Sequence, residues 1–134
     1  MKLSTKGVYG LQALINLASS EKTPVLLKDI AKAENISEKY LEAIFSSLRK
    51  NNLINATRGK NGGYTLSTPA NQMPLDKILD ALEGKNRFAK QKNIPNNSTI
   101  LSVMQQLDDK VIEHLSALTL ADILTNDGTI NFSI

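Results

Sequence analysis

The segment Arg58-Gly59-Lys60-Asn61-Gly62-Gly63-Tyr64 carries the most pointed chemistry in this sequence. Glycines lack side chains and let a chain approach another backbone closely, while a guanidinium offers a rigid fork of donors to phosphate or to the floor of a DNA minor groove. Upstream, Ser37, Glu38, Lys39 and Tyr40 stand at the head of a stretch with helical spacing. Ser and Lys bond phosphates or base acceptors, and a Tyr hydroxyl reaches a phosphate. The sequence has no cysteine and one histidine, His114, which excludes thiolate nucleophiles, disulfides, cysteine-ligated clusters and histidine-rich metal sites. No paired acid and base, phosphate loop or metal set stands out. The expectation is a non-enzyme with no cofactor and no metal.

These residues need elements to hold them. Ser4 or Thr5 caps a first helix with Val8, Leu11, Leu14, Ile15 and Ala18 at helical spacing. Gly7 and Gly10 sit inside it, each costing about 1 kcal/mol against alanine, so another backbone or a ligand is expected close by. A short second helix spans about Leu27–Ala33, with Leu27, Ile30 and Ala31 inward. After a turn at Glu34–Asn35, Ser37 caps a third helix that runs to about Asn51. Leu41, Ile44, Phe45 and Leu48 form its core stripe; Lys39, Tyr40, Glu42, Ala43, Ser46 and Arg49 form its other face. Strands over 53–57 and 64–67 flank the glycine-rich loop. Pro74 occupies the first position of a fourth helix that Gly84 ends, with Leu75, Ile78, Leu79 and Leu82 on its core face. Residues 85–97 read as a polar loop. Ser98 then caps a long helix to about Leu118, Thr119 caps a short one over 120–124, and the tail 129–134 is expected to be extended.

The chain has 134 residues and 41% apolar content, enough for one domain, or a small domain with an appendage, and a real core. No apolar run approaches the roughly 20 residues of a membrane span, and no secretory signal is visible at the N-terminus, so the expected location is the cytoplasm. The charge is uneven. Residues 1–68 hold ten Lys/Arg against five Asp/Glu, a balance of +5, while residues 69–134 hold six against eight, a balance of −2. A basic N-terminal half suits contact with phosphates.

The order helix, helix, turn, helix, hairpin is that of a winged helix-turn-helix, so the expected fold class is mainly α with a small β-hairpin. The expected division is a DNA-binding domain over 1–84, a loop over 85–97, and a dimerisation helix with its tail over 98–134. An α-helix fits the major groove with its N-terminal residues at base edges, and a hairpin tip suits the minor groove or the phosphates beside it. Alone, the glycine-rich hairpin is more often a solvated turn; its place behind the helix-turn-helix pattern is what assigns it a role.

Several motifs in order carry a family resemblance: Ser4-Thr5-Lys6-Gly7-x-Tyr9-Gly10, Ile30-Ala31, Ser37-x-x-Tyr40-Leu41-Glu42, Leu48-Arg49-x-x-x-Leu53, Arg58-Gly59-x-x-Gly62-Gly63-Tyr64, Leu82-Glu83-Gly84 and Thr119-Leu120-Ala121-Asp122. Together they resemble the Rrf2 family of bacterial transcription regulators over nearly the whole chain. The resemblance implies a homodimer joined through the long helix, phosphate contacts near Ser4, Thr5, Lys6 and Tyr9 and around Tyr40, base reading from the third helix, and Arg58 in a minor groove. The expected DNA-binding set adds Lys28, Ser37, Glu38, Lys39, Glu42, Ala43 and Arg49, and in the wing Gly59, Lys60, Gly62, Gly63 and Tyr64. The expected dimer interface comprises Ile100, Met104, Leu107, Val111, Leu115 and Leu118, because so long an apolar stripe exceeds what one small domain covers.

Three departures from the family stand out. Many members have Arg where this chain has Val8, and Gln where it has Ala43. Iron–sulfur members carry three cysteines between the fourth and fifth helices, where this chain has KNRFAKQKNIPNN. It is more similar to the cysteine-less members, some of which control sulfur or cysteine metabolism. Lys85, Arg87, Lys90 and Lys92 in that loop are candidates for an anionic effector, a regulatory partner protein being the other source of a signal. Asp108, Asp109 and Glu113 read as a solvated face, Phe88 as packing back on the domain, and His114 as an interface or surface residue. A winged-helix module that binds protein instead of DNA is the alternative, disfavoured by the basic N-terminal half; RNA binding lacks its aromatic platform. Protein purified without oxygen and offered iron and sulfide should stay colourless, with oxidant-independent DNA affinity. A charge-transfer band at near one cluster per chain would overturn this expectation.

Overall fold

A computed structural model describes residues 3–59 and 62–124 of the chain. Helix α1, Thr5–Ser19, starts at Ser4, whose Oγ accepts the Gly7 N–H at 3.0 Å. Helix α2, Leu27–Glu34, ends at Asn35 in the left-handed conformation, φ 55°, its N–H closing on the Ala31 and Lys32 carbonyls. Helix α3, Glu38–Lys50, starts at Ser37, whose Oγ accepts the Tyr40 N–H at 3.1 Å. Glu38 in its first turn and Arg49 and Lys50 in its last complement the helix dipole. The α3 stripe Leu41, Ile44, Phe45 and Leu48 is fully buried in one core with Leu14, Leu17, Ile30 and Ile78, which four helices therefore share.

The wing follows as an antiparallel pair, β1 over Ile54–Thr57 and β2 over Gly63–Leu66, with Ile54 opposite Leu66 and Thr57 opposite Gly63. Each strand begins one residue away from the sequence expectation. The Leu53 N–H closes α3 on the Leu48 carbonyl, and Ser67 lies beyond β2, donating its N–H to the Leu53 carbonyl and its hydroxyl to the Asn52 carbonyl. The periodicity did not reveal a third participant. Val25 exchanges both backbone hydrogen bonds with Tyr64, at 3.0 and 2.8 Å, which lays the segment before α2 along the outer edge of β2. A single bridging residue is too short to leave an alternation signal.

Helix α4, Leu75–Glu83, buries Leu75, Ile78 and Leu82. Pro74 precedes its first position and serves as N-cap, because its backbone is extended at ψ 145°. Leu79 is only half-buried; Asp76 is buried in its place, with Oδ1 unpartnered in the first turn, where the helix N-terminus offsets part of the cost. The close neighbour expected at the α1 glycines is α4. A Cβ on Gly10 would lie 2.5 Å from a Leu82 methyl, and Glu83 occupies the same space at Gly7.

Helix α5, Thr99–Ser116, is capped by Ser98, whose Oγ accepts the Leu101 N–H at 3.1 Å. Helix α6, Leu120–Leu124, follows Thr119. The chain here returns to the segment before α4: Leu75 N–H bonds the Leu118 carbonyl and Leu120 N–H bonds the Met73 carbonyl, both at 2.9 Å. Leu120 is fully buried in the common core, so the segment after α5 anchors it at its C-terminal end. The expected extension of the tail 129–134 lies outside the described residues.

Gly63 has φ +143°, and a Cβ there would meet the Val25 carbonyl oxygen at 2.5 Å. Gly63→Ala should therefore destabilise the protein by about 1–3 kcal/mol through backbone strain and overpacking. Thermal unfolding checks this; an unchanged midpoint would contradict the tight seating of the wing on Val25.

Candidate nucleic-acid interface

Burial of one α3 face dictates what the other can do. Lys39, Tyr40, Glu42, Ala43, Ser46 and Arg49 are all exposed, as are Ser37 and Glu38 at the helix start. Helix α1 is locked beside them. The Tyr9 and Tyr40 rings meet edge to face with centroids 5.8 Å apart, and Lys6 Nζ donates to Ser47 Oγ at 2.9 Å. The first turns of α1 and the exposed face of α3 thus form one surface. Thr5 lies exposed on it and Lys6 half-buried.

Ser4, for which the resemblance implied a phosphate contact, is exposed and bonded within the chain. Its oxygen accepts from Gly7 and donates to Glu83 Oε1 at 2.6 Å, and its N–H reaches the same carboxylate at 3.1 Å. Its hydroxyl is occupied in joining the start of α1 to the end of α4. Lys28 is exposed on α2, beside a shallow depression shared with Asp29, Lys32 and Glu38.

The wing supplies the other wall. Tyr64 packs edge-on against Phe45 with ring centroids 4.7 Å apart, tying the base of the hairpin to the buried side of α3. Between them runs a groove of about 420 Å³ lined by Glu42, Ser46, Arg49, Lys50 and Tyr64. Two cations, two hydroxyls and one carboxylate face it, so it can donate to phosphate or base acceptors and accept from a base amino group. Arg58 and Gly59 lie exposed at the hairpin tip, where the Gly62 N–H closes a turn on the Gly59 carbonyl at 2.9 Å. Lys60 lies outside the described residues. Lys50 and Ser47 were absent from the expected set. Lys50 follows Glu42 and Ser46 at intervals of four, so helical spacing could have found it; Ser47 shows only through its bond to Lys6. The ion pairs Arg87–Asp80 and Lys110–Glu113 lie outside this surface.

This geometry is matched among known proteins. The family model of Rrf2, described as an iron-dependent transcriptional regulator, matches residues 3–126. The chain belongs to the Rrf2 family. It is 37% identical to the putative HTH-type transcriptional regulator slr0846 of Synechocystis over 128 residues, covering 92% of this chain and 87% of that protein. It is 31% identical to the HTH-type transcriptional regulator IscR of Pectobacterium atrosepticum over 137 residues, covering 98% and 84%. In three dimensions it matches CymR (YrzC), the global cysteine regulator of B. subtilis, with TM-score 0.75 at 34% identity over 93% of this chain and 97% of that one. The fold is a winged helix, and this Rrf2 chain is a DNA-binding transcriptional regulator.

The donors present do not fit an iron–sulfur cluster. The chain has no cysteine, and among the described residues no group of three or more His, Cys, Asp or Glu stands close enough to hold a metal ion. Two expectations for this region also change. Asp108, expected on a solvated face, is 5% exposed and accepts the N–H groups of Phe88 and Ala89 at 2.8 and 2.9 Å. Arg87 leaves the expected anion-binding set, because its guanidinium bonds Asp80 at 3.3 Å and the Gly84 carbonyl at 2.8 Å; Lys85, Lys90 and Lys92 remain exposed.

The long stripe of α5 is divided between two directions. Ile100, Val103 and Leu107 are 55, 43 and 41% exposed. Met104 and Val111 are half-buried, and Leu115 and Leu118 pack against the chain's own core. No helix among the described residues is long and apolar enough to cross a membrane.

For Arg58, the expected outcome of Arg58→Ala is a loss of about 1–3 kcal/mol in binding, concentrated at operator positions where the wing meets the minor groove. Lys6→Ala should instead weaken all sequences alike and lower the salt slope by about one unit. Equal affinity and equal sequence preference for Arg58→Ala and wild type would remove the wing from the interface.

Proposed function

We propose that this Rrf2 protein is a homodimeric, sequence-specific repressor, without catalytic activity, that reads an inverted-repeat operator in the cytoplasm and works without an iron–sulfur cluster. The observation that carries the reading is the α3–wing groove, in which Arg49, Lys50, Tyr64, Ser46 and Glu42 combine phosphate donors with a base-reading acceptor. The α3 N-terminus, with Ser37, Lys39 and Tyr40, enters the major groove. Tyr9 and Lys6 track the adjacent phosphates, and Arg58 lies against the minor groove. Likeness to a cysteine regulator supports genes of sulfur metabolism as targets. The signal comes from a small anion at the remaining loop lysines or from a partner protein, and either must bind the DNA-bound and free forms with different affinity.

Dimerisation is supported by the uncovered row Ile100, Val103 and Leu107, which repeats at intervals of three and four and so faces one direction. Two reading helices related by a two-fold axis require half-sites about one helical turn, roughly 34–36 Å, apart. Light scattering at micromolar protein should give twice the chain mass, and Leu107→Glu should give monomers with lost operator binding. Duplexes selected from a random pool should carry an inverted repeat. A wild-type monomer that binds a single asymmetric site tightly would contradict the proposal.

A further inference from the structure

The turn at residues 86–90 is gripped from both sides. Its own backbone closes through the Lys90 N–H on the Asn86 carbonyl at 3.0 Å, one helical turn with no helix behind it. The first N–H groups of such a turn lack internal partners. The Asp108 carboxylate, reaching across from α5, takes both: Oδ1 accepts from Phe88 and Oδ2 from Ala89. On the opposite side Arg87 bonds the Asp80 carboxylate of α4 and the Gly84 carbonyl, with the Arg87 and Asp80 side chains 10 and 14% exposed. Three consecutive residues therefore join two helices through two carboxylates.

The site of this grip matters for α5. That helix packs chiefly on α4, and its C-terminal end is held by the Leu118 and Leu120 bonds. Asp108 is the next hold along it, immediately after Leu107, the last residue of the uncovered apolar row. The row from Ile100 projects beyond Asp108 by about 12 Å, at 1.5 Å per residue. A small change of tilt at the grip is carried to the tip of that lever, and through a two-fold axis to the separation of the reading helices.

We propose that Asp108 and the Asp80–Arg87 pair are positioning residues that set the angle of α5 on the DNA-binding domain and thereby the half-site spacing that the dimer accepts. The inference rests on the dimeric, inverted-repeat reading above. A carboxylate is required at 108, because two converging N–H donors need two acceptors. An asparagine there turns one acceptor into a donor facing a donor. Charge-assisted bonds of this kind are the stronger ones, and losing one leaves a part-buried N–H unpaired.

The experiment uses the whole protein, Asp108→Asn and Asp80→Asn. The DNA is the half-site recovered by wild type from a random pool, presented singly and as inverted repeats whose spacer varies one base pair at a time. Wild type should prefer one spacing. Each variant should remain dimeric by light scattering and bind the single half-site within about twofold of wild type, because α3 and the wing are untouched. Discrimination between the best spacing and its neighbours should fall at least fivefold. If Asp108→Asn fails to fold, as judged by circular dichroism, Asp80→Asn alone decides. An unchanged spacing profile in a folded dimeric variant overturns the inference and leaves the repressor reading intact. So does an equal loss on single and paired half-sites. A monomeric wild type overturns the dimer reading and this inference with it.

Discussion

The fold rests on burial of one face of α3. Leu41, Ile44, Phe45 and Leu48 are almost completely removed from water, and they touch elements from every other part of the domain. Each such side chain contributes about 1.5–3 kcal/mol when fully buried. With 3.6 residues per turn, burying that stripe obliges Lys39, Tyr40, Glu42, Ala43, Ser46 and Arg49 to face outward. The exposed α3 face, on which the proposed DNA reading rests, is thus a geometric consequence of the core. It cannot rotate away without exposing four large apolar side chains.

The same core settles the neighbours of that surface. Phe45 on the buried side holds Tyr64, which sets the wing beside α3, and Val25 pairs with Tyr64 to close the far edge of the hairpin. On the opposite flank, Leu82 fills the space left by Gly10, while Glu83 grips Ser4. This pulls α1 against α4 and leaves Tyr9 and Lys6 in contact with α3. Packing and a few hydrogen bonds therefore join α3, the wing and the start of α1 into one continuous surface.

Elements with strong periodicity or a cap were legible in the sequence. Ser37 and Ser98 cap the helices they were expected to cap, Ser4 is the cap of the two candidates Ser4 and Thr5, and the α3 stripe matches residue for residue. The wing was found through its glycines, with ends displaced by one residue because Leu53 and Ser67 serve turns that periodicity does not register. The α5 stripe is the counter-example. One apolar pattern contained two faces, a half-buried set packed toward the domain and an uncovered row at Ile100, Val103 and Leu107. Apolar character alone does not say which neighbour covers a residue.

By itself the sequence determined the local chemistry. It set which residues cap and which punctuate, where the guanidinium and the glycines fall, and that no thiolate exists to hold a cluster. These depend on residue identity and short spacing, which act over one or two turns of chain. The tertiary structure decided the long-range pairings: Val25 on the wing, Ser4 on Glu83, Lys6 on Ser47, Asp108 on the 86–90 turn. A charged residue such as Asp108 reads as solvated because burial of a carboxylate is unfavourable without partners. Its partners are two backbone N–H groups some twenty positions away, 2.8 and 2.9 Å from its oxygens. Every residue carries such groups, so only the packing of α5 against α4 could choose which ones Asp108 meets.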